Sequence, residues 1–284
     1  MPILAFLAAP LIALLISSYE YIGAGATFMG EVTLVNVIFY GLSILILGFL
    51  AYIMANVSAS ERKKLAVAIL LTIFMTLFWG FHELSGSIIT LFSARNVDLW
   101  LMNAAQTNAL NPLFIIAFSI PISSLWVWLS KKKINPRTPY KFAMGLALLG
   151  VGFYLLFLSK NFASEAGLVP FVFLIVMYMF ISLGELFMSP VGLAKITDLS
   201  PKTIVAFMMG VWFLSSAYAF QIVGFVSQQL AIDKIEGQTA LEGGLESLQV
   251  YTQGFESISY VAFGGALVVV ILAPIMNRWM QNVH

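Results

Sequence analysis

Apolar residues in this chain come in runs long enough to cross a bilayer, and that feature limits the fold before any other. A spanning helix needs about 20 mostly apolar residues. Eight stretches are read as spans: Pro2–Ser17, Leu34–Ala55, Leu65–Phe92, Pro112–Leu129, Phe142–Leu158, Leu168–Ala194, Ile204–Leu230 and Glu256–Met276. In hydrocarbon the backbone must satisfy its own polar groups, and helices do so within one segment. Composition agrees: 61% of the 284 residues are hydrophobic and 10% are charged, against about 25% charged in a soluble domain. The first stretch resembles a signal peptide in length. It lacks the basic leading segment, because no Lys or Arg precedes Arg62, so it is read as a helix. The expected fold is an all-α membrane protein with eight transmembrane helices.

Charge sets the orientation. With loops alternating sides, eleven of the fourteen basic residues fall on one side, at Arg62–Lys64, Lys131–Lys141, Lys195–Lys202 and Arg278. Only Arg95, Lys160 and Lys234 fall opposite. The positive-inside rule makes the first side cytoplasmic and puts both termini there. The longest polar stretch, Ala231–Phe255, is read as a solvated acidic outer loop. The chain has no cysteine and two histidines, so no disulfide, thiolate zinc site or His-based metal centre is expected. No basic block points to nucleic acid. No nucleophile–base set or phosphate loop is present, so no enzyme activity, metal or organic cofactor is expected.

A charge inside a span costs about 2.5–3.5 kcal/mol at the helix centre and is a functional candidate by default. Two acids lie within the apolar runs: Glu83 and Glu185. Such a carboxylate either pairs with a cation or holds a proton near neutral pH, and both states suit a proton-coupled device. For Glu83 the competing reading is a hydrated group near a helix end. Its neighbour His82 fits a proton path or a polar helix contact equally well. Around Glu185, Ser182 and Ser189 share its helical face, which reads as a polar stripe on a cavity. The competing reading is a structural Glu bonded to the next helix. Pro190 removes a backbone hydrogen bond and is expected to break this helix. Asn111-Pro112 opens a span and reads as ordinary capping. Trp212, Ser216 and Ala219 share a face that could floor a cavity or simply pack. Gly145, Gly150 and Gly152 suggest close helix contact.

Four segments occur in one order: FWGFHELSGSIITLFSARNVD from Phe78 to Asp98, NPLFII from Asn111, GELFMSPVG from Gly184 to Gly192, and MMGVWFLSSAYAFQIVG from Met208 to Gly224. Together they resemble the C-terminal half of the proton-dependent oligopeptide transporter (POT/PTR) family, within the major facilitator superfamily. The resemblance implies a transmembrane hairpin and cytoplasmic linker over residues 1–63, then a six-helix transporter bundle over 64–284. It implies that Glu185 faces the peptide's amino terminus and Asn111 helps to hold that end. It implies cavity positions for Trp212 and Ser216, and gating or proton coupling for Glu83. The family often has Gln after that Glu, whereas Leu84 and Ser85 follow here. The family's first bundle carries a Glu-x-x-Glu-Arg motif and basic residues for the peptide carboxylate, and this sequence has neither.

The function expected from this resemblance is the C-terminal portion of a proton-coupled di- and tripeptide symporter working by alternating access. Its partners would be the peptide, protons as the coupling ion, the lipid bilayer and an N-terminal six-helix bundle. The expected location is a bacterial inner membrane. Two alternatives stay open: a non-transporting membrane module, as a truncated relic or interaction subunit, and a facilitator-type transporter of another amino compound.

Overall fold

A computed structural model describes residues 34–232 and 240–280. The expected helix Pro2–Ser17 lies outside the described residues. The chain divides into two compact units, Met1–Val57 and Ser58–His284. Of the first, the helix α1 (Leu34–Asn56) is described. Its outward residues are apolar, including Ile44, Leu45 and Leu47, as a lipid-facing helix requires.

The second unit opens with a capping box. The Ser58 hydroxyl accepts from Glu61 N at 3.3 Å, and Ser58 N donates to the Glu61 carboxylate at 3.1 Å. These bonds satisfy donors that the first helical turn leaves over. Helix α2 (Ala59–His82) therefore begins before the boundary expected after residue 63, and Arg62–Lys64 ride on its first turns. A 3-10 turn (Glu83–Gly86) and a short helix α3 (Ile88–Asn96) follow. Then come α4 (Leu110–Lys131), α5 (Thr138–Leu158), α6 (Phe171–Leu199), α7 (Val205–Gln229) and α8 (Ala240–Met280). Among the described residues, seven helical segments are long and apolar enough to cross a membrane.

Helix α5 packs most extensively, against α6 and α8, while α2 lies on α7, α6 and α8. The close approach of α5 to α6 needs glycine. A Cβ on Gly184 would lie 2.7 Å from Gly145 O, and one on Gly145 would lie 2.9 Å from Gly184 O. Aromatic side chains fill the centre: Phe92 meets Phe255 edge-on at 5.1 Å, and Phe153 meets both Phe255 and Phe81. A two-residue parallel ladder pairs β1 (Val97–Asp98) with β2 (Val169–Pro170) beyond the ends of α3 and α6.

Two expectations are corrected. The stretch Ala231–Phe255 is not one solvated loop, because α8 begins at Ala240. Leu248, Tyr251, Thr252, Phe255 and Ser259 repeat at three- and four-residue spacing and are buried, the mark of one packed helical face. Its hydroxyls bond back to the helix, as Thr252 does to Leu248 O at 2.7 Å. Nor does Pro190 break α6, which runs unbroken from Phe171 to Leu199. A proline removes a single N–H donor, and the hydrogen bonds on either side carry the helix past it. The interruption falls instead at Glu83–Gly86.

Candidate functional site

The break at the end of α2 places the site. Ser87 leaves helical geometry at φ −129° and ψ −93°. The freed backbone finds local partners: Ser87 N donates to Leu84 O at 3.1 Å, and Thr90 Oγ1 donates to Ser85 O at 2.7 Å. Non-helical backbone at membrane depth is tolerated where protein satisfies it in this way. His82 is the last residue before the break and is buried, while Glu83 is the first residue within it.

His82 reaches Glu185 on α6, with Nε2 3.2 Å from Glu185 Oε2. The same oxygen accepts from Asn111 Nδ2 at 3.1 Å. Asn111 Nδ2 also donates to Ser182 Oγ at 3.1 Å and lies 3.2 Å from His82 Nε2. Three helices, α2, α4 and α6, thus meet at one carboxylate. The Asn111 side chain does not cap α4, whose N-cap position is Ala109, with no side-chain capping bond.

Counting protons assigns the imidazole. An amide NH2 has two hydrogens, and Glu185 and Ser182 take both. With both so placed, the contact between Asn111 Nδ2 and His82 Nε2 is not a third donated bond, and the tautomer that suits this arrangement carries its proton on Nε2 and donates it to Glu185 Oε2. Its other nitrogen, Nδ1, is buried without a hydrogen-bond partner and lies 3.7 Å from Glu83 Oε1. That distance is too long for a hydrogen bond but close enough for charge. If Nδ1 gains a proton, the imidazolium has a carboxylate at each nitrogen. Glu185 Oε1 accepts no hydrogen bond from any described residue.

A second polar chain continues from this cluster, and sequence reasoning missed it. Ser182 Oγ donates to Tyr178 O at 2.7 Å, and Tyr178 donates its hydroxyl to Asn108 Oδ1 at 3.0 Å. Asn108 Nδ2 donates to Thr90 Oγ1 at 3.1 Å, which returns to the break through Ser85. The signal for it was the pair Asn108 and Asn111, three apart at the start of an apolar run.

Trp212 and Ser216 lie on α7. The Trp212 ring is buried against Gly192 and stands edge-on to Phe142, with centroids 6.5 Å apart. Gly192 is seven residues along α6 from Glu185, about 10 Å of helix. The structure therefore brings together His82, Glu83, Asn111 and Glu185, and holds Trp212 in a packing contact elsewhere. Ser216 is half-buried. Ser189 and Pro190 lie on α6 beyond Glu185, with Pro190 exposed. Among the described residues, no cluster of His and acidic side chains has the makings of a metal site.

A bundle of apolar helices with a polar, carboxylate-centred junction between α2, α4 and α6 defines a polytopic membrane protein. The chain belongs to the POT family, whose profile matches residues 31–241. It is 31% identical over 227 residues to dipeptide and tripeptide permease B of Aliivibrio fischeri, covering 78% of this chain and 45% of that protein. It is 31% identical over 276 residues to dipeptide and tripeptide permease A of Cronobacter turicensis, covering 90% of this chain and 53% of that protein. The chain thus spans about half the length of these relatives. Its fold matches the crystal structure of a POT peptide transporter in complex with sulfate, with TM-score 0.73, 27% identity, and coverage of 98% of this chain and 53% of that one. The crystal structure of tetrameric PepTSo2 matches similarly, with TM-score 0.74, 27% identity, and 97% and 54% coverage. The chain has the all-α fold of the major facilitator transporters.

Proposed function

We propose that this chain is the C-terminal portion of a proton-coupled di- and tripeptide symporter, active when joined by an N-terminal bundle. One observation carries the reading: a carboxylate, Glu185, fixed between three helices by His82 and Asn111, with Oε1 accepting no hydrogen bond from the described residues. A fixed carboxylate in low-dielectric surroundings favours an ammonium over a neutral group, so Glu185 and Asn111 hold the peptide amino terminus. The substrate class follows from the relatives, which are dipeptide and tripeptide permeases.

Proton coupling is assigned to Glu83 and His82. With Glu83 ionised, an imidazolium at His82 is balanced on both sides. With Glu83 protonated, its O–H can donate to the buried Nδ1 lone pair after a small approach. Alternating access would move the break at Glu83–Gly86 between these two arrangements, with the two bundles rocking about a midplane site. The first bundle would cover the apolar faces that α4 and α7 leave open, at Leu113, Ile116 and Ile120 and at Phe213 and Phe220. The protein would lie in a bacterial inner membrane with both termini cytoplasmic, and need no cofactor besides the coupled proton.

The test is uptake of a labelled dipeptide, driven by an imposed proton gradient, with this chain co-expressed with the N-terminal bundle of a homologous permease. Glu185→Gln is expected to abolish uptake at low peptide concentration, and Glu83→Gln to uncouple it from the gradient. Wild-type uptake in Glu185→Gln refutes the binding role. Unchanged proton dependence in Glu83→Gln refutes the coupling role. Background uptake with stable assembly would instead support the second reading, a non-transporting module.

A further inference from the structure

A cavity of about 780 Å³ opens at the other end of the bundle from the α3–α8 contact. It lies where the end of α4, the start of α5, and the late turns of α6 and α8 meet. Its walls include Lys133, Arg137, Lys141, Lys195 and Asn277, with no acidic side chain among the described residues. Its size is that of pockets that take small ligands.

Lys141 is the decisive residue. Read from sequence as a loop cation, it lies in the first turns of α5 and is 7% exposed. Its ammonium sits 4.1 Å over the Trp126 ring and forms no ion pair with a described residue. Buried charges are ordinarily paired, and an aromatic face neutralises no charge. Beside it, Lys195 Nζ is bonded to Asp198 Oδ2 at 3.2 Å. Asp198 lines an adjoining groove together with Lys141, Lys195 and Trp126. Across the cavity and this groove, the described lining residues thus set one acid against four cations. Two polar atoms nearby are buried without partners: Trp126 Nε1, a donor, and Asn277 Oδ1. A rotation of the Asn277 amide exchanges that oxygen for an NH2 donor.

We propose that this cavity binds a phosphate-bearing anion, held by Lys141 and Lys195 at its base and by Arg137 and Lys133 at its rim. A phosphate group offers several acceptor oxygens to such donors, and charge-assisted bonds of this kind are the strong ones. Two sources carry the same chemistry: free phosphate and the headgroup of an anionic lipid. Basic pockets between transmembrane helices are where such headgroups bind. The site is separate from the Glu185 cluster and does not depend on peptide transport.

The experiment uses the whole chain. In one arm, binding of inorganic phosphate to detergent-purified protein is measured by calorimetry against sodium chloride at equal ionic strength. In the other, native mass spectrometry counts phosphatidylglycerol retained from mixed vesicles, against phosphatidylcholine. Lys141→Gln is expected to weaken binding by about fivefold or more, the effect of one cation near a lipid surface. Arg137→Gln, an exposed substitution that leaves the packing intact, is expected to do the same. Lys202→Gln, outside the cavity, serves as the control and is expected to change nothing. Phosphate binding that depends on Lys141 and Arg137 supports the site and names a free anion. Residue-dependent retention of phosphatidylglycerol alone supports it and names a lipid. The proposal is overturned if neither probe binds, if chloride substitutes for phosphate, or if Lys202→Gln matches Arg137→Gln.

Discussion

Asn96 is expected to hold the α3 end of the bundle together, and the cost of removing it can be worked from its bonds. Its side chain is fully buried at the end of α3. Nδ2 gives one proton to Gly167 O at 3.0 Å and the other to Gly244 O at 2.7 Å. Oδ1 accepts from Ser247 Oγ at 2.9 Å. One amide thus joins α3, the segment before β2 and the start of α8. Space is tight there: Gly167 has φ +74°, and a Cβ on it would lie 2.8 Å from Gly244 O. Asn96→Ala removes all three bonds. Gly244 O and Ser247 Oγ keep each other at 3.0 Å, so Gly167 O is the group that loses its side-chain donor. Bonds of this kind in membrane proteins average about 0.6 kcal/mol and reach about 1.7, and an orphaned buried carbonyl adds about 1–3. The expected loss is about 3–5 kcal/mol.

The assay is reversible unfolding in mixed micelles as denaturing detergent is raised, followed by tryptophan fluorescence. Ser247→Ala breaks one bond to Asn96 and should cost about 1 kcal/mol. Because the two residues share a network, the double variant should fall short of the sum by about 0.5 kcal/mol or more. Asn96→Asp keeps the shape but turns an acceptor toward two carbonyl oxygens, so it should be at least as harmful as Ala. An Asn96→Ala variant within about 0.5 kcal/mol of wild type refutes the reasoning, since surface substitutions have effects of that size.

Gly184→Val should destabilise by about 1–3 kcal/mol through overpacking, because its Cβ would strike Gly145 O, and melting in detergent checks it. Pro190→Ala should leave the melting temperature unchanged or raise it, since α6 is already continuous there and alanine restores the missing N–H. Nitrogen NMR on labelled His82 should show Nε2 protonated and Nδ1 bare in the neutral ring, and the opposite tautomer would contradict the proton count at Asn111. That signal should change in Asn111→Leu, which frees the contact that favours the assignment.

The spans were legible because hydrophobic length is a one-dimensional quantity. The stretch Leu34–Ala55 became α1, and Ile204–Leu230 became α7, each within a residue at either end. Glu83 and Glu185 were legible for a related reason: an acid in an apolar run is costly wherever the helix points. Their partners were harder to read. Asn111 looked like a cap from its own neighbours, since capping is local, whereas its bonds to Ser182 and Glu185 cross 71 and 74 residues. Lys141 was counted with the loops because charge statistics ignore which turn of a helix a cation occupies.

The misplaced helix break has a more general cause. Proline is the loudest local signal, yet Pro190 lacks only one donor, and α6 continues because its other bonds remain intact. At Leu84-Ser85-Gly86-Ser87 no single residue forbids a helix. Glycine lowers helix propensity, the serines offer competing hydrogen bonds, and Thr90 takes up the freed Ser85 carbonyl. Tertiary contacts then supply what the sequence alone does not show. His82 is held by Glu185 just before the break, and Asn108 holds Thr90 just after it. The chain therefore departs from a helix where side chains on other helices compensate for the departure. The same side chains form the junction around Glu185, so the interruption and that junction have one physical origin.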